Sequence, residues 1–252
     1  MTSDHVATVH DNLRAGIVGL ADLLPGGETR QFGRIAAASA GLPVPEYNRA
    51  FVFDPVPRDD LEAAVSWLRR RDLPFWTTTA APAVEGVAGF PAEFDLAKSH
   101  EDPGMVLPSL NDVQPRARPA DVSRATDDAA LDEFVAVFSS VFGRSEAVAT
   151  QAYRPLVPDD GAELFLGRVD GRAVACGVLS RTGPVAGVYA IGVVEEFRGR
   201  GIGECMTRAV LRAGRDAGCQ IGALQSTEMA RPLYEKLGFE TVVTYRHFGP
   251  ST

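Results

Sequence analysis

Lysine is nearly missing from this sequence: Lys98 and Lys236 are its two lysines, and arginine supplies the rest of 25 basic residues against 33 acidic ones. The formal net charge is −8. Phosphate neutralisation needs clustered basic side chains, so an acidic excess argues against a nucleic-acid partner. Cysteine is also scarce. Cys176, Cys205 and Cys219 are odd in number and lack C-x-x-C spacing, which gives neither a disulfide framework nor a zinc site. Of the four histidines, His5, His10, His100 and His247, only the first two are near one another, with no carboxylate at ligand spacing beside them, so no metal is expected. No apolar run approaches the roughly 18 residues a bilayer demands. The opening Met1-Thr-Ser-Asp-His has no basic stretch leading into an apolar one. A cytoplasmic protein without a membrane partner is the expectation.

What is present describes a packed protein. Hydrophobic residues make up 45% of the chain and charged ones 23%, close to the globular average. A length of 252 residues suits two modest domains. The proline-rich stretch from Pro103 to Pro119 has little periodicity and reads as an exposed linker, which places a boundary near residue 116 and gives domains 1–115 and 116–252. In the first, residues 30–39, 47–53 and 75–79 read as strands. Leu61, Ala64, Trp67 and Leu68 make a buried stripe on a helix over 59–71.

The second domain patterns more clearly: a strand at 122–125, a helix over 127–142, then strands at 163–169 and 173–181. The last two flank Asp170-Gly171, a dipeptide suited to a two-residue hairpin turn. A strand at 187–194, a helix over 203–217, a strand at 221–225, a short helix through 233–237 and a strand at 240–248 complete the order.

The chemistry concentrates in Tyr189-Ala-Ile-Gly-Val-Val-Glu-Glu-Phe-Arg-Gly-Arg-Gly-Ile-Gly203, an apolar strand running through a glycine-rich loop into an amphipathic helix. Gly199, Gly201 and Gly203 let the backbone turn tightly. Successive N–H groups can then face one concavity at the positive end of the helix dipole, a seat for pyrophosphate. Arg198 and Arg200 can add charge, or stand as solvated loop arginines. Spacing removes two other phosphate loops. A P-loop needs a lysine that is not there, and G-x-G-x-x-G starting at Gly199 needs glycine where this chain has Glu204.

The pattern that fits is R-x-x-G-x-G at Arg198, Gly201 and Gly203, followed further on by Ala230-Arg-Pro-Leu-Tyr-Glu-Lys-Leu-Gly-Phe239. In order and separation the two resemble the acetyl-CoA motif and the A-x-x-L-Y-x-x-x-G-F motif of the GNAT superfamily of N-acetyltransferases. The resemblance implies an α/β fold of the GNAT acyl-CoA N-acyltransferase type for 116–252, a mixed central sheet flanked by helices. The smaller mixed α/β domain 1–115 resembles, more loosely, the degenerate first half of tandem members. Ligand pockets favour domain junctions, so such a half can wall the acceptor without binding a cofactor itself.

The same resemblance implies roles. Backbone groups of Ile191, Gly192 and Val193 would pair with the pantetheine arm, and loop amides from Arg198 through Gly199, Arg200, Gly201 and Ile202 to Gly203 would hold the pyrophosphate. Tyr234 falls on the family's tyrosine, whose hydroxyl protonates the departing thiolate. A phenol of pKa near ~10 is a reasonable weak acid for that step. Where many relatives carry an asparagine seven residues before the tyrosine, this chain has Thr227, which still offers a hydroxyl. Pro232 requires its helix to begin around residues 228–231.

Glu195 and Glu196, ending the central strand, are candidate general bases or else solvated loop charges. Cys205 near the helix start is a candidate nucleophile or a small buried hydrophobe, and direct transfer is expected over a covalent route. The implied activity is acetyl transfer from acetyl-CoA to a primary amine of a small molecule or peptide, with no metal. A non-catalytic acyl-CoA sensor or interaction module is the alternative.

Overall fold

A computed structural model describes residues 2–81, 83–114, 119–157 and 161–251. Its elements run α1 (Thr2–Leu23), β1 (Glu28–Phe32), β2 (Ile35–Ser39), β3 (Asn48–Val52), α2 (Arg58–Arg69), β4 (Trp76–Ala80), β5 (Leu96–Leu107) and β6 (Asp121–Arg124). The chain continues through α3 (Asp128–Phe142), α4 (Glu146–Tyr153), β7 (Ala162–Val169), β8 (Arg172–Thr182) and β9 (Val185–Val193). It ends with α5 (Ile202–Asp216), β10 (Ile221–Gln225), α6 (Arg231–Lys236) and β11 (Glu240–Pro250). No helix among the described residues is long and apolar enough to cross a membrane.

Packing divides the chain into two units that interleave in sequence. One comprises Met1–Met105, Gln225–Tyr234 and Thr241–Thr252, and the other Val106–Leu224 and Glu235–Glu240. The linear boundary near residue 116 lies outside the described residues.

In the first unit the strand order is β1-β2-β3-β4-β11-β5. β1, β2 and β3 pair antiparallel, β3 and β4 pair parallel, and β11 enters antiparallel to β4 with Thr78 opposite His247. The helix α2 buries Leu61, Ala64, Val65, Trp67 and Leu68 on one face. These residues share a core with Ile35, Val52, Phe75 and, from β11, Phe248. The last strand of the chain therefore completes the core of the unit that contains its first residues.

The second unit orders its strands β6-β7-β8-β9-β10, antiparallel as far as β9 and then parallel between β9 and β10. Local chemistry fixes most of its elements. The Asp127 carboxylate accepts the Ala130 N–H at 2.8 Å and caps α3, and such a cap contributes about 1 kcal/mol. Gly143, with φ of 65°, ends that helix in the left-handed conformation. Asp170 and Gly171, at φ of 51° and 80°, make the turn between β7 and β8 as their sequence indicates.

Three readings of the sequence need correction. Residues 103–107 are not part of an exposed linker but the buried end of β5, with Met105 and Val106 inaccessible to solvent and Leu110 and Val113 buried beyond it. Pro103 is tolerated in the strand; it lacks a donor, but its carbonyl accepts the Ser226 N–H at 3.0 Å. Residues 30–39 form a hairpin rather than one strand, turning at Gly33 with φ of 53°. Finally, α1 and α4 are additional helices, the first burying Val9, Leu13, Leu20 and Ala21.

Candidate active site

β9 is the backbone of the site. One of its edges pairs with β8 from Val185↔Thr182 to Val193↔Ala175, with a shift of register between Cys176 and Val178. Ala190, opposite that shift, takes φ of 51°, a left-handed backbone that costs a residue with a Cβ roughly 1–2 kcal/mol. Bulges of this kind bend a strand and increase its twist. The Cys176 thiol donates to the Ala190 carbonyl at 3.4 Å, and burial pushes its pKa up to about 12, so it remains a protonated donor.

The other edge is open where it matters. The described ladder with β10 covers Val185↔Ile221, Gly222↔Ala186 and Ala223↔Gly187, then ends. Beyond Gly187 the β9 edge has no strand partner on that side among the described residues, and Ile191, Gly192 and Val193 lie on that stretch. An exposed strand edge recognises an extended ligand carrying amides through main-chain hydrogen bonds, which is what a pantetheine arm offers.

Past β9 the chain makes a single 3-10 turn at Glu195–Phe197 and enters the glycine loop. Gly199 and Gly201 both adopt left-handed backbone, φ 73° and 80°, and Gly201 is the N-cap of α5. A Cβ at either would meet no atom within 4 Å, so backbone conformation rather than space demands glycine there. The first amide to bond inside α5 is that of Cys205, to the Gly201 carbonyl at 3.1 Å. The amides of Ile202 and Gly203 precede it in the first turn, where helix geometry leaves N–H groups without intrahelical acceptors. A glycine-cornered loop, these two amides and the helix dipole together suit an anion.

The charged residues around the loop have distinct placements. Arg198 donates through Nε to the Val193 carbonyl at 3.1 Å, bracing the end of β9, and Arg200 donates to the Glu196 carbonyl at 2.8 Å while its guanidinium lies over Phe197. Both arginines are exposed. Glu195 is exposed too, and the Glu196 side chain, 67% exposed, faces Arg172 at 3.8 Å. The Cys205 thiol points to the Ala120 carbonyl at 3.7 Å.

Glu204 has a role here that the sequence reading did not foresee. It is an acid in the first turn of α5 with 6% of its side chain exposed, and it accepts from Arg208 at 3.1 Å and from Lys236 at 3.0 Å. Unpaired, a buried carboxylate at this place would oppose anion binding. With two cations its charge is offset, and one of the two anchors the end of α6 to the start of α5. The i,i+4 spacing to Arg208 was legible. The pairing with Lys236, one of only two lysines, was not.

Tyr234 is buried on α6. Thr227 organises the entry to that helix: its carbonyl accepts from Ala230 and Arg231 at 3.0 Å, and its hydroxyl accepts from Ala230 at 3.3 Å. Pro232 occupies the first turn, where a missing N–H costs nothing.

Residues 160–241 match the family model described as an acetyltransferase (GNAT) domain. No curated protein sequence matches the chain at a significant level. Solved structures do. A GCN5-related N-acetyltransferase from Kribbella flavida superposes with a TM-score of 0.73 at 18% identity, covering 95% of each chain. One from Sphaerobacter thermophilus gives 0.60 at 16% identity, over 85% of this chain and 79% of its own. A tandem GNAT protein from the clavulanic acid biosynthesis pathway gives 0.60 at 18% identity, over 91% and 86%. Residues 160–241 thus match a GNAT acetyltransferase domain, and the chain has the fold of the GCN5-related N-acetyltransferases.

Proposed function

We propose that the protein transfers an acetyl group from acetyl-CoA directly to the primary amine of a small molecule or peptide. The observation that carries this reading is the continuous track in the second unit: a β9 edge at Ile191, Gly192 and Val193 without a strand partner among the described residues, leading into a glycine loop whose amides open α5. An extended thioester arm and a pyrophosphate need those two features in that order.

On this reading the amides from Arg198 to Gly203 hold the pyrophosphate and Tyr234 donates a proton to the leaving thiolate. Glu195 or Glu196, acting through water, accepts the proton of the incoming amine; their exposure is compatible with that role. Thr227 holds the turn ahead of Tyr234. Alignment of amine and thioester supplies most of the remaining rate gain. Residues 1–115 form a degenerate tandem half that binds no acetyl-CoA of its own, in keeping with the tandem architecture named for the clavulanic acid pathway protein. A screen of CoA release over polyamines, amino acids, aminoglycosides and peptide N-termini tests the proposal. Turnover with one amine class supports it. Tight acetyl-CoA binding without turnover on any amine would make the protein an acyl-CoA sensor.

A further inference from the structure

We propose that His100, Asp102 and His247 of the first unit form a binding site for one divalent metal ion of the zinc class. No local pattern marks it, because the histidines are 147 positions apart. The sheet removes that separation. His100 and Asp102 are alternate residues of β5, so they share a face, and β11 beside it brings in His247. Their ligand atoms all lie within 4.8 Å of one another.

The donor spacing is that of a metal site, and the two rings, stacked with centroids 4.4 Å apart, must splay for their in-plane lone pairs to converge on one ion. Nε2 of His100 and Nε2 of His247 each stand 3.3 Å from the same carboxylate oxygen, Oδ2 of Asp102. Two donors bound to one tetrahedral zinc at roughly 2.0–2.1 Å stand roughly 3.3 Å apart. The other ring nitrogens are engaged. Nδ1 of His247 meets the Thr78 hydroxyl at 3.0 Å, and Nδ1 of His100 meets the Ser99 hydroxyl at 3.0 Å. Ligand histidines are ordinarily oriented in this way, through the nitrogen that does not bind the metal.

An independent observation comes from His247 itself. Its side chain is 1% exposed, yet its Nε2 has no well-formed hydrogen bond, Oδ2 of Asp102 standing 3.3 Å away. In the tautomer whose Nδ1 donates to Thr78, this buried nitrogen presents a lone pair toward a carboxylate, a repulsive meeting that a cation between them turns into coordination. Trp76 packs on both rings and holds them. His100 and Asp102 keep 36% and 21% of their side chains exposed, which leaves one side of the site open to a water as fourth ligand.

The test uses full-length, tag-free protein stripped with chelator and titrated calorimetrically with Zn²⁺. Co²⁺ absorption reports the coordination geometry. Wild type is expected to take up one equivalent and to melt at a higher temperature with zinc than without. His100→Ala and Asp102→Asn, both at partly exposed positions that leave the buried His247 in place, are each expected to lose that equivalent. Thr78→Val is expected to bind about 10–100-fold more weakly, as loss of an outer partner does. Absence of uptake by wild type, or retention of its affinity by either ligand variant, overturns the proposal and leaves a hydrogen-bonded His-Asp-His group instead.

Discussion

Two strand-to-helix crossovers in this molecule have the same topology and opposite capacities. β3 passes to α2 and then to its parallel neighbour β4, as β9 passes to α5 and then to its parallel neighbour β10. The first connection reads Phe53-Asp-Pro-Val-Pro57, and α2 begins at a Pro57 cap with Asp59 and Asp60 in its first turn. Pro55 and Pro57 remove two amides from the connecting loop, and two aspartates occupy the positive end of the helix dipole. The second connection has two left-handed glycines, and the acid in its helix's first turn is paired with two cations. Topology provides a helix N-terminus in both units. The residues at it decide whether it can receive a phosphate.

Separating the halves breaks the comparison most severely. A fragment of residues 1–115 lacks β11 and with it Tyr245 and Phe248, which are buried in the first unit. We expect it to show no cooperative unfolding transition by circular dichroism, because the β4 edge loses its antiparallel partner and the core loses an aromatic. A folded fragment would mean that β11 is dispensable to that unit.

Converting the second crossover toward the character of the first should remove the cofactor. At Gly201, aspartate must adopt φ of 80° and places a charge at the proposed phosphate seat. At roughly 1–2 kcal/mol for the backbone, and a similar cost for repulsion, acetyl-CoA affinity should fall on the order of 100-fold in calorimetry. Gly203→Asp should act in the same direction. Intact wild type should bind one equivalent, and a stoichiometry of two would show that the first crossover also accepts acetyl-CoA.

Tyr234→Phe sharpens the chemistry rather than the binding. It removes a hydroxyl and keeps the ring, so acetyl-CoA affinity and Tm should hold while kcat falls by about 10²-fold, the lower end for general acid catalysis. Equal kcat for both proteins, where chemistry limits turnover, would reduce Tyr234 to a packing residue. A smaller effect is expected from Lys236→Met, which removes the lysine's charge from beside Glu204. Because the lysine side chain is 58% exposed, the loss should be no more than about 1 kcal/mol of stability in chemical denaturation, with a weakening of acetyl-CoA binding in low salt.

The mildest test is a pH profile. His10, stacked on Phe53 and bonded to the Tyr245 hydroxyl at 2.7 Å, has its pKa lowered to about 4 by burial. Between that value and 6.5 the unfolded chain binds a proton that the folded chain does not. Stability should therefore be full above pH 6.5 and fall as pH drops toward 4. In His10→Phe the slope of Tm against pH over that window should be shallower, and an unchanged slope would exclude His10 as its source.

Much of the second unit could be read along the chain. β10 lies at the predicted 221–225, α3 begins after the predicted Asp127, and the Asp170-Gly171 turn and the start of α6 at Arg231 follow from local chemistry. The first unit was less legible. The amphipathic α2 declared itself, but β5 opens as exposed Ala97, Lys98 and Ser99, carries Pro103, and has the polarity of a loop until neighbouring strands bury its end. For α1, small residues blur the helical stripe.

By itself, then, the sequence determined the glycine loop, the amphipathic helices and the tyrosine segment, because capping, periodicity and left-handed turns depend on residues a few positions apart. Only the tertiary structure decided the rest. It placed β11 in the sheet that holds the N-terminal strands, paired Lys236 with Glu204, and brought His247 to His100 and Asp102. Each of these unites residues separated by tens to hundreds of positions, and strand pairing across a sheet, not any local preference, sets which of them meet.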